Sequence, residues 1–299
     1  MTSDRRNVWI TRREKEADDW SLALTAAGIP HHIEETSEGF EVQVAPGDRA
    51  RLDRELEAFV RETSSAIEEG QAPIEPRRSL AGIVLAGLLI GFYVWTGPRS
   101  AAGPLGWFGA GSASAERILG GEAWRTVTAL TLHADAAHVV ANAASAAVFV
   151  TELARIVGPG VAAWVLLLTG AGGNALTAAV RGAPHGSVGA STALFGAIGC
   201  LAAMQAARWR RRPRPRYRPW VPVAAGAALL AMLGSGRDAD VAAHLFGFAV
   251  GLVLGMFTAR IAAGPPAPPI QRALALAAAA VVVACWGLAL ARGHGWPLG

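Results

Sequence analysis

The chain has 299 residues, of which 52% are hydrophobic and only 17% are charged, and its formal net charge is +4. Most acidic residues lie in about the first quarter of the chain, and long stretches of the remainder contain none. This composition excludes an ordinary soluble enzyme and predicts a small water-soluble domain followed by a membrane-embedded body.

Residues 1–65 are predicted to form the water-soluble part, a small α+β domain. Asp18–Ile29 has apolar residues at helical spacing, and a glycine and a proline end this run. Two short strands, His31–Glu35 and Gly39–Val44, are expected around a tight turn. A second amphipathic helix follows, and its apolar face is formed by Leu52, Leu56, Phe59 and Val60.

A proline-containing linker, residues 66–79, leads to seven apolar stretches. A hydrocarbon core of about 30 Å needs about 20 helical residues, and tilted helices or helices that end below the surface need fewer. Glycine and alanine are abundant throughout, as expected where helices pack closely in lipid. The stretches are Leu80–Gly97, Ala136–Val157, Val161–Val180, Val188–Ala207, Val221–Gly234, Val241–Ala262 and Arg272–Leu290.

The arginines indicate the orientation of these segments. A dense cluster, Arg208–Arg218, connects the fourth and fifth stretches, and short basic connections remain in the cytoplasm. Counting back from it makes the N-terminal domain cytoplasmic and the connection between the first two stretches external. Because the arginines lie at the ends of apolar segments and not along a groove, no nucleic-acid partner is expected.

A serine and a histidine begin two helices that run in the same direction. Ser191 lies in the first turn of the fourth stretch and His244 in that of the sixth, so both are at the same depth. Small residues on both helices, among them Gly199 and Gly247, allow the backbones to approach closely. The hydroxyl and the imidazole can then form the hydrogen bond that a nucleophile and its base require. Phe195, one turn below Ser191, can hold the imidazole without an acid.

Hydrogen-bond donors are also predicted near this level. His138 and Asn142 are four residues apart and share one face of the second stretch. Together with the backbone N–H of Ser191, they can converge on one oxygen atom, and each donor of such a site contributes typically ~2.7–4 kcal/mol. His133 is expected to donate to backbone where this helix begins.

Taken singly, these residues have structural explanations as well. An isolated serine in a membrane helix usually bonds to its own backbone, and glycines at four-residue spacing usually serve helix packing. A metal site formed by His133, His138 and His244 would lack a carboxylate or thiolate ligand. Cys200 and Cys285 are expected to be packed free thiols. No metal and no cofactor are therefore expected.

Four motifs resemble those of the rhomboid intramembrane proteases, and they follow one another along the chain in the order that the family has. The likeness extends over about Leu80–Ala262. The motifs are Glu122-x-Trp124-Arg125, His133-x-x-x-x-His138-x-x-x-Asn142, Gly189-x-Ser191 and Ala243-His244-x-x-Gly247.

The resemblance implies an all-α polytopic membrane protein with a rhomboid-like six-helix bundle in residues 80–262. Residues 263–299 then contain a linker and one additional C-terminal transmembrane helix, and residues 1–65 are a small cytosolic α+β domain. It also implies a serine endopeptidase whose Ser–His dyad opens to the extracytoplasmic side. The implied partners are transmembrane protein substrates and membrane lipid, and the expected location is the bacterial inner (plasma) membrane, with a cytoplasmic N-terminus.

The resemblance also assigns roles to individual residues. Ser191 would be the nucleophile and His244 the general base, while His138, Asn142 and the Ser191 amide would form the oxyanion hole. The supporting residues would be Gly189, Phe195, His133 and Gly247, with Trp124 and Arg125 shaping the external loop and Glu152 tying helices together.

One residue departs from the family pattern, which usually has glycine immediately after the serine. Here the residue is Thr192, whose bulk would crowd the sixth helix unless its hydroxyl bonds one turn back. Two other functions are therefore kept as alternatives: a catalytically inactive rhomboid-like protein that binds membrane-protein clients, and a small-molecule transporter. The transporter lacks support because the chain has no broken helices in matching halves.

Overall fold

The computed structural model describes residues 9–68, 78–100, 106–210, 218–233, 240–262 and 264–293. Contacts between residues divide the chain into two compact units, Met1–Glu75 and Pro76–Gly299. Most of the predicted linker at 66–79 lies outside the described residues, and so do residues 211–217 of the arginine cluster.

The N-terminal unit combines two helices with a three-stranded antiparallel sheet of order β1-β3-β2. Its elements are β1 (Ile10–Thr11), α1 (Glu14–Ala26), β2 (His31–Thr36), β3 (Gly39–Val44) and α2 (Arg49–Glu68). The core is formed by Trp20, Leu24, Ile29, Val42, Leu52 and Leu56. The two longer strands lie where the sequence predicts them. Strand β1 does not follow from the sequence because two residues are too few to show a periodic pattern.

The second unit is almost entirely helical. A π-helical turn, Ala146–Val150, joins α7 to α8, so that these form one continuous helix. The elements are α3 (Ala81–Thr96), α4 (Trp107–Gly111), β4 (Ala113–Ser114), α5 (Ala115–Leu119), α6 (Arg125–Thr128), α7 (Ala136–Ser145), α8 (Thr151–Val157), α9 (Pro159–Arg181), β5 (Gly186–Ser187), α10 (Ser191–Arg210), α11 (Val221–Leu233), α12 (Val241–Ile261) and α13 (Pro268–Gly293).

Four helices of the described part are long and apolar enough to cross a membrane: Ala136–Val157, Pro159–Arg181, Val241–Ile261 and Pro268–Arg292. Helices α3 and α11 are apolar but shorter. Helix α10 has 20 residues, but it begins with serine and threonine and ends with arginines, which lowers its hydropathy. Neighbouring helices bury most of its first fourteen residues, and a helix shielded from lipid does not need an apolar surface all round.

The crossing of α10 and α12 is unusually close because glycines face backbone there. A Cβ atom at Gly247, Gly251 or Gly255 would overlap the carbonyl oxygen of Thr192, Gly196 or Cys200, respectively. On the other helix, a Cβ at Gly199 would overlap the carbonyl oxygen of Phe248. Glycine at these positions is therefore required for the two backbones to touch.

This crossing can be tested with one pair of matched substitutions. Gly251→Ala should lower the free energy of unfolding by about 2 kcal/mol or more, because an added methyl group must force the helices apart. Gly87→Ala on α3 is the control, since a Cβ there would meet nothing within 4 Å. The measurement is thermal unfolding of the purified protein in detergent. A Gly251→Ala variant as stable as the Gly87→Ala variant would contradict the proposed contact.

Candidate active site

Ser191 and His244 are brought together by the crossing of α10 and α12. Ser191 Oγ lies 2.7 Å from His244 Nε2, which is hydrogen-bond distance. The imidazole is buried and stacks in a tilted arrangement on the ring of Phe195, with 4.7 Å between the ring centroids. Ser191 itself is only partly buried. A hydroxyl that is accessible and bonded to a fixed imidazole has the geometry of an activated nucleophile.

The segment before Ser191 is shaped by Gly189. Its φ of +125° lies in a region that L side chains rarely adopt, and its N–H donates to the carbonyl of Ala129 at 2.9 Å. A Cβ at Gly189 would overlap the His138 ring and would lie 3.5 Å from Asn142 Nδ2. Glycine at this position therefore lets α10 begin directly beside both side chains of α7.

These α7 side chains have hydrogen-bonding capacity in the site. Asp135 caps α7, since its carboxylate accepts the backbone N–H of His138 at 2.8 Å. Asn142 is buried, and its Nδ2 has no hydrogen-bond partner within the described residues. A buried amide group without a partner is costly, so it is available to a group that enters the site.

His133 lies behind His138, with 5.1 Å between the ring centroids in an edge-to-face arrangement. Its side chain is fully buried, and neither ring nitrogen has a partner of hydrogen-bond geometry in the described part of the chain. The backbone of Thr131 is the group that the predicted bond from His133 would reach, since it acts on the ring. Burial, helped by the neighbouring His138, lowers the pKa of His133 from 6.5 to about 4, although the backbone of Thr131 and Asp135 favour the charged form. The ring is neutral at physiological pH.

Thr192 is accommodated between α9 and α12. A Cβ atom at Gly173 would overlap the γ-methyl group of Thr192, and a Cβ atom at Gly247 would lie close to it. The hydroxyl of Thr192 donates to Asn174 Oδ1 at 3.3 Å, and not to the preceding turn of its own helix. Asn174 Nδ2 in turn donates to the carbonyl of Thr126 at 2.9 Å. The expected crowding is absent because glycines face the threonine on both neighbouring helices.

A second pair of residues links the segments that precede the two helices. His185 Nε2 lies 2.8 Å from Asp240 Oδ2, and the other carboxylate oxygen of Asp240 caps α12 by accepting the N–H of Ala243 at 3.1 Å. The backbone carbonyl of His185 also accepts the N–H of Ala115 at 2.9 Å. This pair leaves no signal in the sequence, because 55 residues separate its members.

The connection between α3 and α7 is held by Arg125, which is 2% exposed. Its guanidinium donates to the carbonyls of Ser112 and Gly109 at 3.0 and 2.9 Å, and it forms an ion pair with Glu122. The guanidinium of Arg292 lies 4.9 Å from the centroid of the Trp124 ring. Trp124 and Arg125 thus lie within the folded connection between α3 and α7. No contact of either with the Ser191–His244 pair is found within the described residues.

Glu152 pairs with Arg155 at 3.5 Å, three residues along the same helix, and its side chain is about half exposed. This ion pair lies within one helix, and the tie between helices that the resemblance implies stays a prediction. Within the described residues, no group of three or more His, Cys, Asp or Glu side chains is placed to hold a metal ion.

Comparison with known proteins identifies the family. Residues 120–261 match the model of the Rhomboid domain. The chain is 31% identical over 139 residues to "Putative rhomboid protease YdcA" of Bacillus subtilis (strain 168), which covers 46% of this chain and 68% of the relative. It is 33% identical over 146 residues to "Rhomboid-like protease 3" of Toxoplasma gondii, covering 48% of this chain and 55% of the relative. Ser191, His244, His138 and Asn142 all lie inside the matched range.

The position of Thr192 gives a first prediction for this site. Thr192→Gly should lower the free energy of unfolding by about 2 kcal/mol, since it removes buried atoms and adds glycine to a helix. It should leave the reactivity of Ser191 towards a fluorophosphonate probe unchanged or reduced. Thr192→Ser, which keeps the hydroxyl, should be intermediate in stability. Labelling of Thr192→Gly much faster than that of the parent would contradict this account.

The pKa of His133 gives a prediction about pH. The unfolded chain binds a proton at His133 below about pH 6.5, whereas the folded chain does so only near pH 4. The free energy of unfolding should therefore fall as the pH is lowered through this window, by at most ~1.4 kcal/mol per pH unit from this residue. His133→Phe keeps a ring in place but removes the titrating group, so its stability should depend less steeply on pH. Equal slopes of thermal stability for the parent and His133→Phe would refute the assignment.

Proposed function

The chain belongs to the rhomboid family, and we propose that it is an intramembrane serine endopeptidase that cleaves transmembrane segments of other membrane proteins. The observation that supports this most strongly is the 2.7 Å contact between Ser191 Oγ and His244 Nε2. The family membership supports a rhomboid protease in general, and this contact favours Ser191 as the nucleophile and His244 as the base. The names of both relatives describe rhomboid proteases.

In the proposed reaction, Ser191 is the nucleophile and His244 is the general base. The Ser191 oxygen attacks the carbonyl carbon of a substrate peptide bond while its proton moves to Nε2 of the imidazole. This requires a neutral His244 whose Nε2 is the acceptor. When the tetrahedral intermediate collapses, the imidazolium gives the proton to the leaving amine. Water then attacks the acyl-enzyme with the same base, and Ser191 is regenerated.

The negative charge on the carbonyl oxygen is assigned to donors at the start of α7 and α10. His138 and Asn142 adjoin Gly189, two residues before the nucleophile, and the Ser191 N–H lies at the N-terminus of α10. A helix N-terminus presents backbone N–H groups that have no partner within the helix. Donors fixed before the reaction stabilise the oxyanion without rearrangement, and Asn142 Nδ2, which lacks a partner in the described part, suits that role.

In the proposed membrane arrangement, α3, the joined α7 and α8, α9, α10, α11 and α12 form the six-helix rhomboid core of residues 80–262. Helix α13 is the additional helix of residues 263–299, and residues 1–65 form a separate cytosolic domain. The arginines after α10 favour a cytoplasmic position for that connection, and in this orientation α10 and α12 begin on the extracytoplasmic side. Substrates would therefore be cleaved near the outer end of their transmembrane segments.

The proposal predicts that Ser191→Ala and His244→Ala each lower the cleavage rate of a model transmembrane substrate in liposomes by at least about a thousandfold. The double variant should be no slower than either single variant, because both residues serve one concerted step. The control is Ser145→Ala, which removes another membrane-helix serine that lies outside the proposed site. Cleavage products are quantified by mass spectrometry.

Covalent labelling distinguishes an enzyme from a client-binding protein. A fluorophosphonate probe should modify Ser191 in the parent and in Ser145→Ala, and no labelling should occur in Ser191→Ala. If the parent is folded but neither labels nor cleaves, the protease proposal is wrong, and the inactive, client-binding alternative takes its place.

A further inference from the structure

A large apolar cavity of about 1330 Å³ lies between α3 and α13 in the second unit. Its walls include Leu88 of α3 and Val282 of α13, and Leu166 of α9 lies behind them. The cavity also reaches Ala190 and Ala193, on either side of the Ser191-Thr192 pair. It therefore extends along the helices to the back of the segment that carries the proposed nucleophile.

The two walls meet at the end of the cavity nearest Ser191. Phe92 of α3 and Trp286 of α13 lie 5.5 Å apart between ring centroids, and Trp107 lies within 6.0 Å of both. Trp286 is fixed there, because its indole N–H donates to Thr131 Oγ1 at 3.0 Å. This aromatic cluster, Phe92, Trp107 and Trp286, joins the two walls, and of the lining residues on α3 and α13 only Trp95 and Leu290 lie beyond it.

At the opposite end of the cavity the two walls are separated, and each carries an arginine. Arg78, just before α3, and Arg272, in the second turn of α13, both line the cavity and are exposed. Neither forms an ion pair with a carboxylate within the described residues.

The gap between the walls is not due to a loosely attached α13. At this same end the Gln271 side chain accepts the N–H of Gly160 at 2.8 Å and that of Val161 at 3.1 Å, and it donates to the carbonyl of Val157 at 2.9 Å. Helix α13 is thus fixed at both ends of the cavity, to α8 and α9 through Gln271 and to the segment before α7 through Trp286.

We infer that this cavity binds one anionic phospholipid, with its phosphate between Arg78 and Arg272 and its acyl chains directed towards the aromatic cluster. The charge of the open end matches a phosphate, and the lining matches hydrocarbon chains. A transmembrane substrate helix is a poorer occupant, since it must pass between α3 and α13 over their whole length and the contact between Phe92 and Trp286 joins these two walls. A lipid enters from one leaflet only, which in the proposed orientation is the cytoplasmic one.

Lipid binding by the unmodified full-length protein is the first test. The purified protein in an uncharged detergent is titrated with dioleoyl phosphatidylglycerol or with dioleoyl phosphatidylcholine, and bound lipid is counted by native mass spectrometry. One phosphatidylglycerol should bind per chain, roughly thirtyfold more tightly than phosphatidylcholine, from its interaction with two arginines. Thermal unfolding should show a larger increase in Tm with the anionic lipid. Equal affinities for the two lipids would overturn the inference.

Substitutions then locate the site. Arg78→Gln with Arg272→Gln should abolish the preference for phosphatidylglycerol, whereas Arg260→Gln, which changes an arginine near the end of α12 outside the cavity lining, should retain it. Ala279→Trp places a large ring in the cavity and should weaken the binding of both lipids. The inference is wrong if the preference survives the double arginine substitution, or if Arg260→Gln removes it equally.

The inference does not rest on the proposed peptidase activity. Ser191→Ala should bind phosphatidylglycerol as the parent does. A protein that binds the lipid but does not cleave would retain this site and lose only the proposed function. If the arginine variants do not fold, the lipid preference of the unmodified protein still decides the question.

Discussion

The direct backbone contact between α10 and α12 is the constraint on which the rest of the second unit depends. Glycines at four-residue spacing on α12 face carbonyl groups of α10, so any other register would place a side chain against backbone. The same contact fixes the separation of the two helix starts, where Ser191 and His244 meet. It also encloses α10 within the unit, which explains why the helix that carries the serine is less apolar than its neighbours.

The other helices add to this crossing through hydrogen bonds between side chains and backbone. Asn174 of α9 links Thr192 to the connection between α3 and α7, and Asp135 and Asp240 cap the helices that carry His138 and His244. These bonds are directional, and the two that Asn174 makes are buried, so they fix orientation more than they add stability. The site is thus held by helix starts and caps, with the Arg125–Glu122 pair in the connection between α3 and α7 and the His185–Asp240 pair before α10 and α12.

The helices could be predicted from the sequence, because their apolar residues form long continuous or periodic runs. Four of the seven apolar stretches are confirmed as helices suited to a membrane, and two further ones are apolar but shorter. The pairing of Ser191 with His244 could be predicted from the sequence, because parallel helices have their first turns at equal depth. Asn174 and the His185–Asp240 pair were missed, since contacts over 18 and 55 residues leave no periodic signal. The tie expected from Glu152 stays a prediction, since the contact given for its carboxylate is with Arg155 of the same helix.

Helix α13 illustrates how a long apolar sequence can conceal specific attachment. It has the highest hydropathy of the four membrane-suited helices, and its composition alone would not predict which helices it packs against. In the structure, Gln271 bonds to two backbone groups at the start of α9 and to one at the end of α8. Trp164 of α9 donates to the carbonyl of Leu274, and Trp286 donates to Thr131, which precedes α7. Such bonds hold a helix at defined points without close contact over its whole length. Because α13 is fixed at these points, it need not pack against α3 except at the aromatic cluster, and the space that remains between them is the cavity inferred to bind lipid.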